Sequence, residues 1–258
     1  MRRALLPRDP GKRMRIDLLT LFPEFFASPL SQSMLQRAQA QGAVTYRVLN
    51  LRDYTTDRHQ VTDDRPFGGG PGMVMKVEPL AAAIRAVRRE DPATRVILLG
   101  PTGPGFNQAK AQELAGHAHL LLICGHYEGV DHRVHFYIDE ELSIGDYILT
   151  GGEIPALSVA DAVTRLLPGV LGGEGATEEE SFQAGLLEYP HYTRPRVFEG
   201  HEVPPVLLEG DHARIAQWRR QQALARTVRL RPDLLAKAVL SKADREFIKS
   251  LAATPGGR

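Results

Sequence analysis

Apolar and polar positions alternate along this chain in a strand-then-helix rhythm. Arg15 to Leu19 (RIDLL) reads as a first strand, and Pro23-Glu24-Phe25-Phe26 opens a helical stretch that runs to about Gln41 and stops at Gly42. Val44 to Leu49 reads as a second strand. Glu78 to Arg89 has helical periodicity, Arg95 to Leu99 is a third strand, Asn107 to Gly116 another helix, and Leu120 to Cys124 a fourth, wholly apolar strand. A further short apolar segment ends near Leu149, and Val159 to Leu167 reads as a helix before Pro168-Gly169. Such alternation predicts an α/β fold with a mainly parallel sheet.

The pattern then changes. Residues 169–182 are rich in glycine and acids and read as a flexible linker or lid. Beyond it, residues 183–258 begin as a proline-rich extended segment and continue as helices. Asp211 is a candidate N-cap for a helix through Arg231, with Ile215, Trp218, Ala225 and Val228 on one face. Pro232 can start a second helix, and Ser241 to Asp244 resembles a capping box for a third. The expected organisation is therefore a loose extension over 1–13, with Met14 a candidate start, an α/β domain over 14–168, the linker, and a small helical domain.

Candidate chemistry gathers at strand ends. The strand at 95–99 runs into Gly100-Pro101-Thr102-Gly103-Pro104-Gly105, the strand at 120–124 into Gly125, and the segment near Leu149 into Gly151-Gly152. Glycine beyond a buried strand lets backbone approach a ligand, and open α/β sheets bind ligands beyond the carboxyl ends of their strands. Three such ends, with Tyr127 and Tyr147 nearby, predict one shared pocket; taken singly, each reads as an ordinary turn. The long loop over 50–79 carries Asp63, Asp64, Arg65 and the run Phe67 to Gly72, and is placed to cover a ligand.

Composition narrows the function. The chain has 258 residues, 43% of them hydrophobic and 24% charged, which suits a globular protein. No apolar run approaches membrane-spanning length. The single cysteine, Cys124, excludes an intrachain disulfide and fits a reducing, cytoplasmic setting. Net charge is +1, but residues 183–258 hold 13 Lys/Arg against 8 Asp/Glu, and six arginines with no acid lie between Arg214 and Arg231. That asymmetry suggests a nucleic-acid partner for the second part, with a solvated helix face as the alternative. There is no dinucleotide-binding glycine fingerprint, no P-loop, no serine-nucleophile elbow and no zinc spacing among the nine histidines.

Seven segments in order, RIDLLTLFPEFF, DDRPFGGGPGMVM, CGHYEGVD, IDEELSIGDYILTGGE, DAVTRLLPGVLG, PHYTRP and VPPVLL, together resemble the bacterial tRNA (guanine-N1)-methyltransferase family. The resemblance implies a deep trefoil knot of the SPOUT class and a homodimer with its active site at the subunit interface. It also implies S-adenosylmethionine as cofactor and the anticodon stem-loop of tRNA as substrate. The reaction implied is methylation of N1 of the guanosine immediately 3′ of the anticodon, position thirty-seven, to 1-methylguanosine, which supports reading-frame maintenance. Cofactor contacts would fall at Leu99, Gly100 and Pro101, at Gly125, Tyr127, Glu128 and Gly129, and at Ile144, Gly145, Asp146, Tyr147, Ile148, Leu149, Gly151 and Gly152.

By the same resemblance, Glu180 matches the family's basic aspartate and Arg165 its essential arginine, an O6 stabiliser. Glutamate for aspartate is a departure that lengthens the reach by one methylene, and Glu179 is a weaker candidate. A second departure is His126, where some relatives carry arginine. Asp64, Gly69 and Tyr127 would border or stack on the target guanine, while His191, Arg194, Arg219 and Arg220 would meet phosphates. The family uses a magnesium ion, but no cluster here offers an all-carboxylate cage, so no metal ligand is assigned. The sequence leaves two competing readings. One is a catalytically inactive RNA-binding module. The other is a nucleotide-dependent oxidoreductase, which lacks the glycine fingerprint it needs.

Overall fold

The computed structural model describes residues 13–172, 180–182 and 185–253, and gives no side-chain account of residues 252 and 253. The chain divides into two compact units, Met1–Gly172 and Gly173–Arg258. The first is built on β1 (Met14–Thr20), a 3₁₀ turn (Pro23–Phe26), α1 (Ala27–Leu30), α2 (Ser33–Ala40), β2 (Val44–Asn50) and a second 3₁₀ turn (Leu51–Tyr54). There follow the two-residue strands β3 (Asp63–Asp64) and β4 (Val74–Met75), then α3 (Val77–Glu90), β5 (Arg95–Leu99), α4 (Gln108–Ala115) and β6 (His119–Cys124). A 3₁₀ turn (His132–Phe136), β7 (Glu140–Leu142) and α5 (Glu153–Thr164) complete it.

The main sheet has the order β2-β1-β6-β5-β7, and every pairing in it is parallel. Its central strand β6 is buried along its whole length, as a strand covered on both faces must be. Side chains alternate between two cores. Ile16, Leu18, Ile97, Leu99, Leu120 and Leu122 pack with Ala156, Val159, Ala160 and Val163 of α5. Val96, Leu98, Leu121 and Ile123 pack with Leu80, Ala83, Ile84 and Val87 of α3. The α3 residues recur at i, i+3, i+4 and i+7, the spacing that puts one helix face on a sheet.

A charged cluster occupies the same sheet face beside the second core. Asp17 is fully buried and accepts hydrogen bonds from Arg15 (2.9 Å), Arg47 (2.7 Å) and the Nε2 of His119 (3.0 Å). Glu90, at the end of α3, bridges both arginines at 2.7 and 3.0 Å. Burial pushes the Asp17 carboxyl up, but the hydrogen bonds from His119, Arg15 and Arg47 outweigh it and hold the group at about 2.

After β7 the chain turns back past the ends of β5 and β6. Phe106 N donates to Ser143 O at 2.7 Å, Ser143 N to Pro104 O at 3.1 Å, and Gly152 N to Gly125 O at 2.8 Å. The returning segment thus interlocks with the loops after β5 and β6 before α5 crosses the sheet. This is the mainly parallel, SPOUT-like α/β architecture expected from the sequence, with helices in the C-terminal unit.

Several elements differ from the sequence reading. The helical stretch after Pro23 is broken: Ser31 and Gln32 close i→i+3 turns behind Pro29, and Ser33 takes a φ of 50°. The segment ending at Leu149 is an exposed loop rather than a strand, and the sheet's edge is instead Glu140–Leu142. The helix expected over 159–167 begins earlier, at Glu153. The loop over 50–79 is partly ordered by the antiparallel β3–β4 pair. Val170 is fully buried in the first core, so the glycine-rich stretch expected as linker starts out packed.

The second unit holds a hairpin of β8 (Val197–Phe198) and β9 (His201–Glu202), α6 (His212–Leu230), a 3₁₀ turn (Pro232–Ala236) and α7 (Lys242–Ala253). Asp211 caps α6, its Oδ1 accepting from Ala213 N at 3.0 Å and Arg214 N at 3.1 Å. Ser241 and Asp244 exchange hydrogen bonds at 2.8 and 3.1 Å, the capping box that starts α7. The buried stripe of α6 is Ala223, Leu224 and Thr227, against Leu186, Phe247 and Ile248. The expected stripe of Ile215, Trp218, Ala225 and Val228 is only half-buried, because this small unit covers the middle of the helix from one side.

Candidate active site

Beyond the carboxyl ends of β5, β6 and β7 lies a cavity of about 560 Å³, within the range of small-molecule sites. Its walls are the three glycine-bearing stretches. The loop after β5 contributes Leu99, Gly100 and Pro101. The turn after β6 contributes Gly125, Tyr127, Glu128 and Gly129. The return between β7 and α5 contributes Ile144, Gly145, Tyr147, Ile148, Leu149, Gly151 and Gly152. Of the cofactor contacts expected from sequence, Asp146 alone does not line this cavity; it is exposed.

Local geometry explains the residue types. A Cβ on Gly152 would stand 2.6 Å from Cys124 Cα and 2.8 Å from Gly125 N, so only glycine lets the return loop lie against the end of β6. Tyr127 holds a φ of 59°, costly for a bulky residue, and this turns its half-exposed ring to the cavity. The His126 ring packs edge-on to Tyr127 with centroids 4.7 Å apart, and lies 4.9 Å from Phe22. The Nδ1 of His126 is buried with no hydrogen-bond partner. Cys124 is buried and its thiol is pushed well above the usual range by burial, which makes it an inert packing group.

The carboxylates between Gly125 and Gly145 divide by role. Asp139 Oδ2 accepts from Val96 N and Arg88 at 2.8 Å each, and Glu140 bonds Arg95 at 3.0 Å and Lys110 at 2.6 Å, so both brace the sheet edge. Asp131 pairs with Arg133 at 2.6 Å and caps the turn that follows. Glu128 and Glu141 face the cavity. Sequence reading missed Thr102, His132, His135 and Glu141 as wall residues. The two histidines were visible only as a pattern lacking zinc spacing, and Glu141 only inside the segment IDEELSIGDYILTGGE. Among the described residues no three metal-binding side chains come together.

Other expected residues lie elsewhere. Asp64 and Gly69 are exposed and do not line the cavity. Arg165 is the C-cap of α5, while Gly152 at the other end lines the cavity. The helix between them separates these ends by about 20 Å at the usual rise. Glu180 belongs to the second unit and is half-buried. The backbone just after it is fixed by Ser181 Oγ accepting from Glu188 N at 3.0 Å and by Phe182 N donating to Leu186 O at 2.8 Å. Glu179 lies outside the described residues.

In the second unit, His191 and Arg194 are exposed, with His191 bonded to Glu188 at 2.8 Å. The Arg219 guanidinium lies 4.8 Å over the Tyr189 ring. Arg220 is committed internally, to Asp244 at 2.9 Å and to Val239 O at 3.1 Å, and ties α6 to α7.

Comparison with known proteins gives the family. The family model described as tRNA (Guanine-1)-methyltransferase TrmD matches residues 14–237. A tRNA (guanine-N(1)-)-methyltransferase of Geobacter sulfurreducens is 56% identical over 239 residues, spanning 92% of this chain and 98% of the relative. One from Chloroflexus aggregans is 57% identical over 237 residues, 90% and 92% of the two chains. One from Moorella thermoacetica is 55% identical over 248 residues, 95% and 99% of the two. With its sheet, its glycine-walled cavity and a match that runs from the first strand into the C-terminal helices, the chain belongs to the tRNA (guanine-N1)-methyltransferase family.

Proposed function

We propose that this protein methylates N1 of the guanosine immediately 3′ of the anticodon, position thirty-seven of tRNA, using S-adenosylmethionine, to give the 1-methylguanosine that supports reading-frame maintenance. The observation that carries the reading is the cavity where three glycine-bearing loops converge at the carboxyl edge of the sheet, in a chain of this family. Its fit to a nucleoside-bearing cofactor rests on its volume, on the glycine backbone that lines it at Gly100, Gly125 and Gly151, and on the unpartnered Nδ1 of His126 in its wall. When bound there, S-adenosylmethionine supplies an electrophilic methyl group.

The chain's own residues then have three tasks. Orientation of the methyl toward N1 is set by the rigid wall around Gly152 and Gly125, since positioning supplies much of such a rate enhancement. Neutral guanine carries a proton on N1, and Glu180 is the carboxylate to accept it. Negative charge growing on O6 is met by the Arg165 guanidinium. Arg165 stands a helix length from the cavity wall of its own chain, which supports a homodimer in which a second copy brings the arginine to the site. Tyr127 offers its ring to the target base. His191, Arg194 and Arg219 meet phosphates of the anticodon stem-loop, with Arg220 bracing the unit from within. A tRNA substrate supports a cytoplasmic setting. No helix among the described residues is long and apolar enough to cross a membrane.

The test is transfer of tritium from labelled S-adenosylmethionine to an unmodified tRNA transcript, beside a transcript with adenosine replacing that guanosine. Label on the first alone is expected. Label on neither, with tRNA still bound, would make the chain an RNA-binding module instead. Glu180→Gln should keep cofactor binding and lose transfer by about a hundredfold or more; wild-type rates in that variant would remove Glu180 from the role of base.

A further inference from the structure

One end of the cavity is polar, and none of its groups has a part in the chemistry above. Three elements meet there: the loop after β5 with Thr102, the 3₁₀ turn with His132 and His135, and β7 with Glu141. The Glu141 side chain is 12% exposed and lies against Gly100, where a Cβ would collide with its Oε1. Thr102 Oγ1 donates to Oε1 at 2.6 Å, and His135 Nε2 lies 3.0 Å from Oε2. His135 Nδ1 lies 3.0 Å from His132 O. A carbonyl and a carboxylate only accept, so meeting both takes an N–H on each ring nitrogen, the imidazolium form. In keeping with this, the Glu141 hydrogen bond raises the His135 pKa above its ordinary value.

Glu141 is therefore pinned at both oxygens and its charge is balanced. A carboxylate has about four acceptor sites, and the two bonds take one on each oxygen, which leaves about two. A balanced carboxylate with two open sites suits a pair of neutral donors better than a cation. The ligand proposed for this cavity carries such a pair in the vicinal hydroxyls of its ribose. We propose that Glu141, held in place by Thr102 and His135, accepts hydrogen bonds from the 2′- and 3′-hydroxyls of the bound nucleoside and makes the cavity selective for ribonucleosides. The proposal rests on the cofactor reading given above.

Calorimetry on the full chain with adenosine, 2′-deoxyadenosine and 3′-deoxyadenosine tests it. The unaltered protein should bind each deoxynucleoside about tenfold or more weakly than adenosine, as for loss of a hydrogen bond to a charged group. Glu141→Ala should weaken adenosine, which loses both bonds, by about the square of the factor by which it weakens each deoxynucleoside, which loses the one bond left to it, so that the three bind alike, the non-additivity that marks a direct contact. Equal binding of all three by the unaltered protein would overturn the proposal, as would a variant that weakens all three by one factor. If Glu141→Ala spares adenosine and weakens only S-adenosylhomocysteine, the carboxylate serves the amino-acid end and the proposal fails. Thr102→Val, on an exposed loop, is the second variant, and it should narrow the discrimination without abolishing binding. Full discrimination in Thr102→Val would count against the pinned carboxylate. Binding of none of the nucleosides, nor of S-adenosylhomocysteine, by the unaltered protein would bring down the cofactor reading itself; binding without discrimination would bring down only this inference.

Discussion

Asp17 shows how much one residue can hold in this fold. Its carboxylate is fully buried and faces two arginines and a histidine from β1, β2 and β6. Removing one partner from a buried charge cluster leaves the others uncompensated. Asp17→Asn should therefore destabilise the first unit by about 3 kcal/mol, toward the low end for such changes because Glu90 still reaches both arginines. Urea denaturation at neutral pH measures this. The sign of the pH effect follows from the direction of the shift. The folded group titrates at about 2, below its ordinary value, so its contribution is complete above the ordinary carboxylate range and is lost as pH falls toward 2. That contribution is about 2 kcal/mol. Unaltered protein should lose stability steeply between about pH 4 and pH 2, and Asp17→Asn should show a shallower slope there. Parallel slopes for the two proteins would mean that the cluster contributes nothing specific.

Among the elements, those written into a local pattern were legible in the sequence. Strand β5 has the bounds its apolar run gives, and the caps at Asp211 and Ser241 stand where their residue types place them. Ser241→Ala removes a side-chain acceptor from the first turn of α7 and should cost about 1 kcal/mol. Hydrogen exchange should show faster opening of α7 amides with β1 and β6 unchanged, and uniform loss across both units would contradict a local cap. What was not legible depends on partners distant in the chain. The edge strand Glu140–Leu142 has no apolar alternation to announce it; it is held by pairing with β5 and by Arg95 and Lys110. The early start of α5 depends on Gly152 meeting Gly125, a contact between two walls of the cavity that no periodicity encodes. The same limit applies to the site. The three glycine-bearing stretches marked its walls in the sequence, though the third is a loop and not a strand end, whereas Thr102, His135 and Glu141 become one cluster only when three elements converge.

At the scale of the whole molecule, the proposed role of Arg165 carries a consequence for how many chains make one site. A rigid helix holds it about 20 Å from the wall at Gly152, and a helix packed through Ala156, Val159, Ala160 and Val163 cannot shorten that distance. If the arginine acts on O6, it must come from another copy, and two defects on different chains should complement one another. Gly125→Val places a side chain in the cavity wall and should abolish cofactor binding; Arg165→Ala should bind cofactor and fail to transfer. Each variant should be inactive alone. After mixing and re-equilibration, about half the dimers are mixed, and each of those holds one site with an open cavity facing an intact arginine. Methyl transfer should return to about a quarter of the unaltered rate, and fall again on dilution below the dimer's dissociation constant. A mixture that stays inactive while mass spectrometry shows mixed dimers would place cavity and arginine on the same chain, and would require α5 to move on binding tRNA.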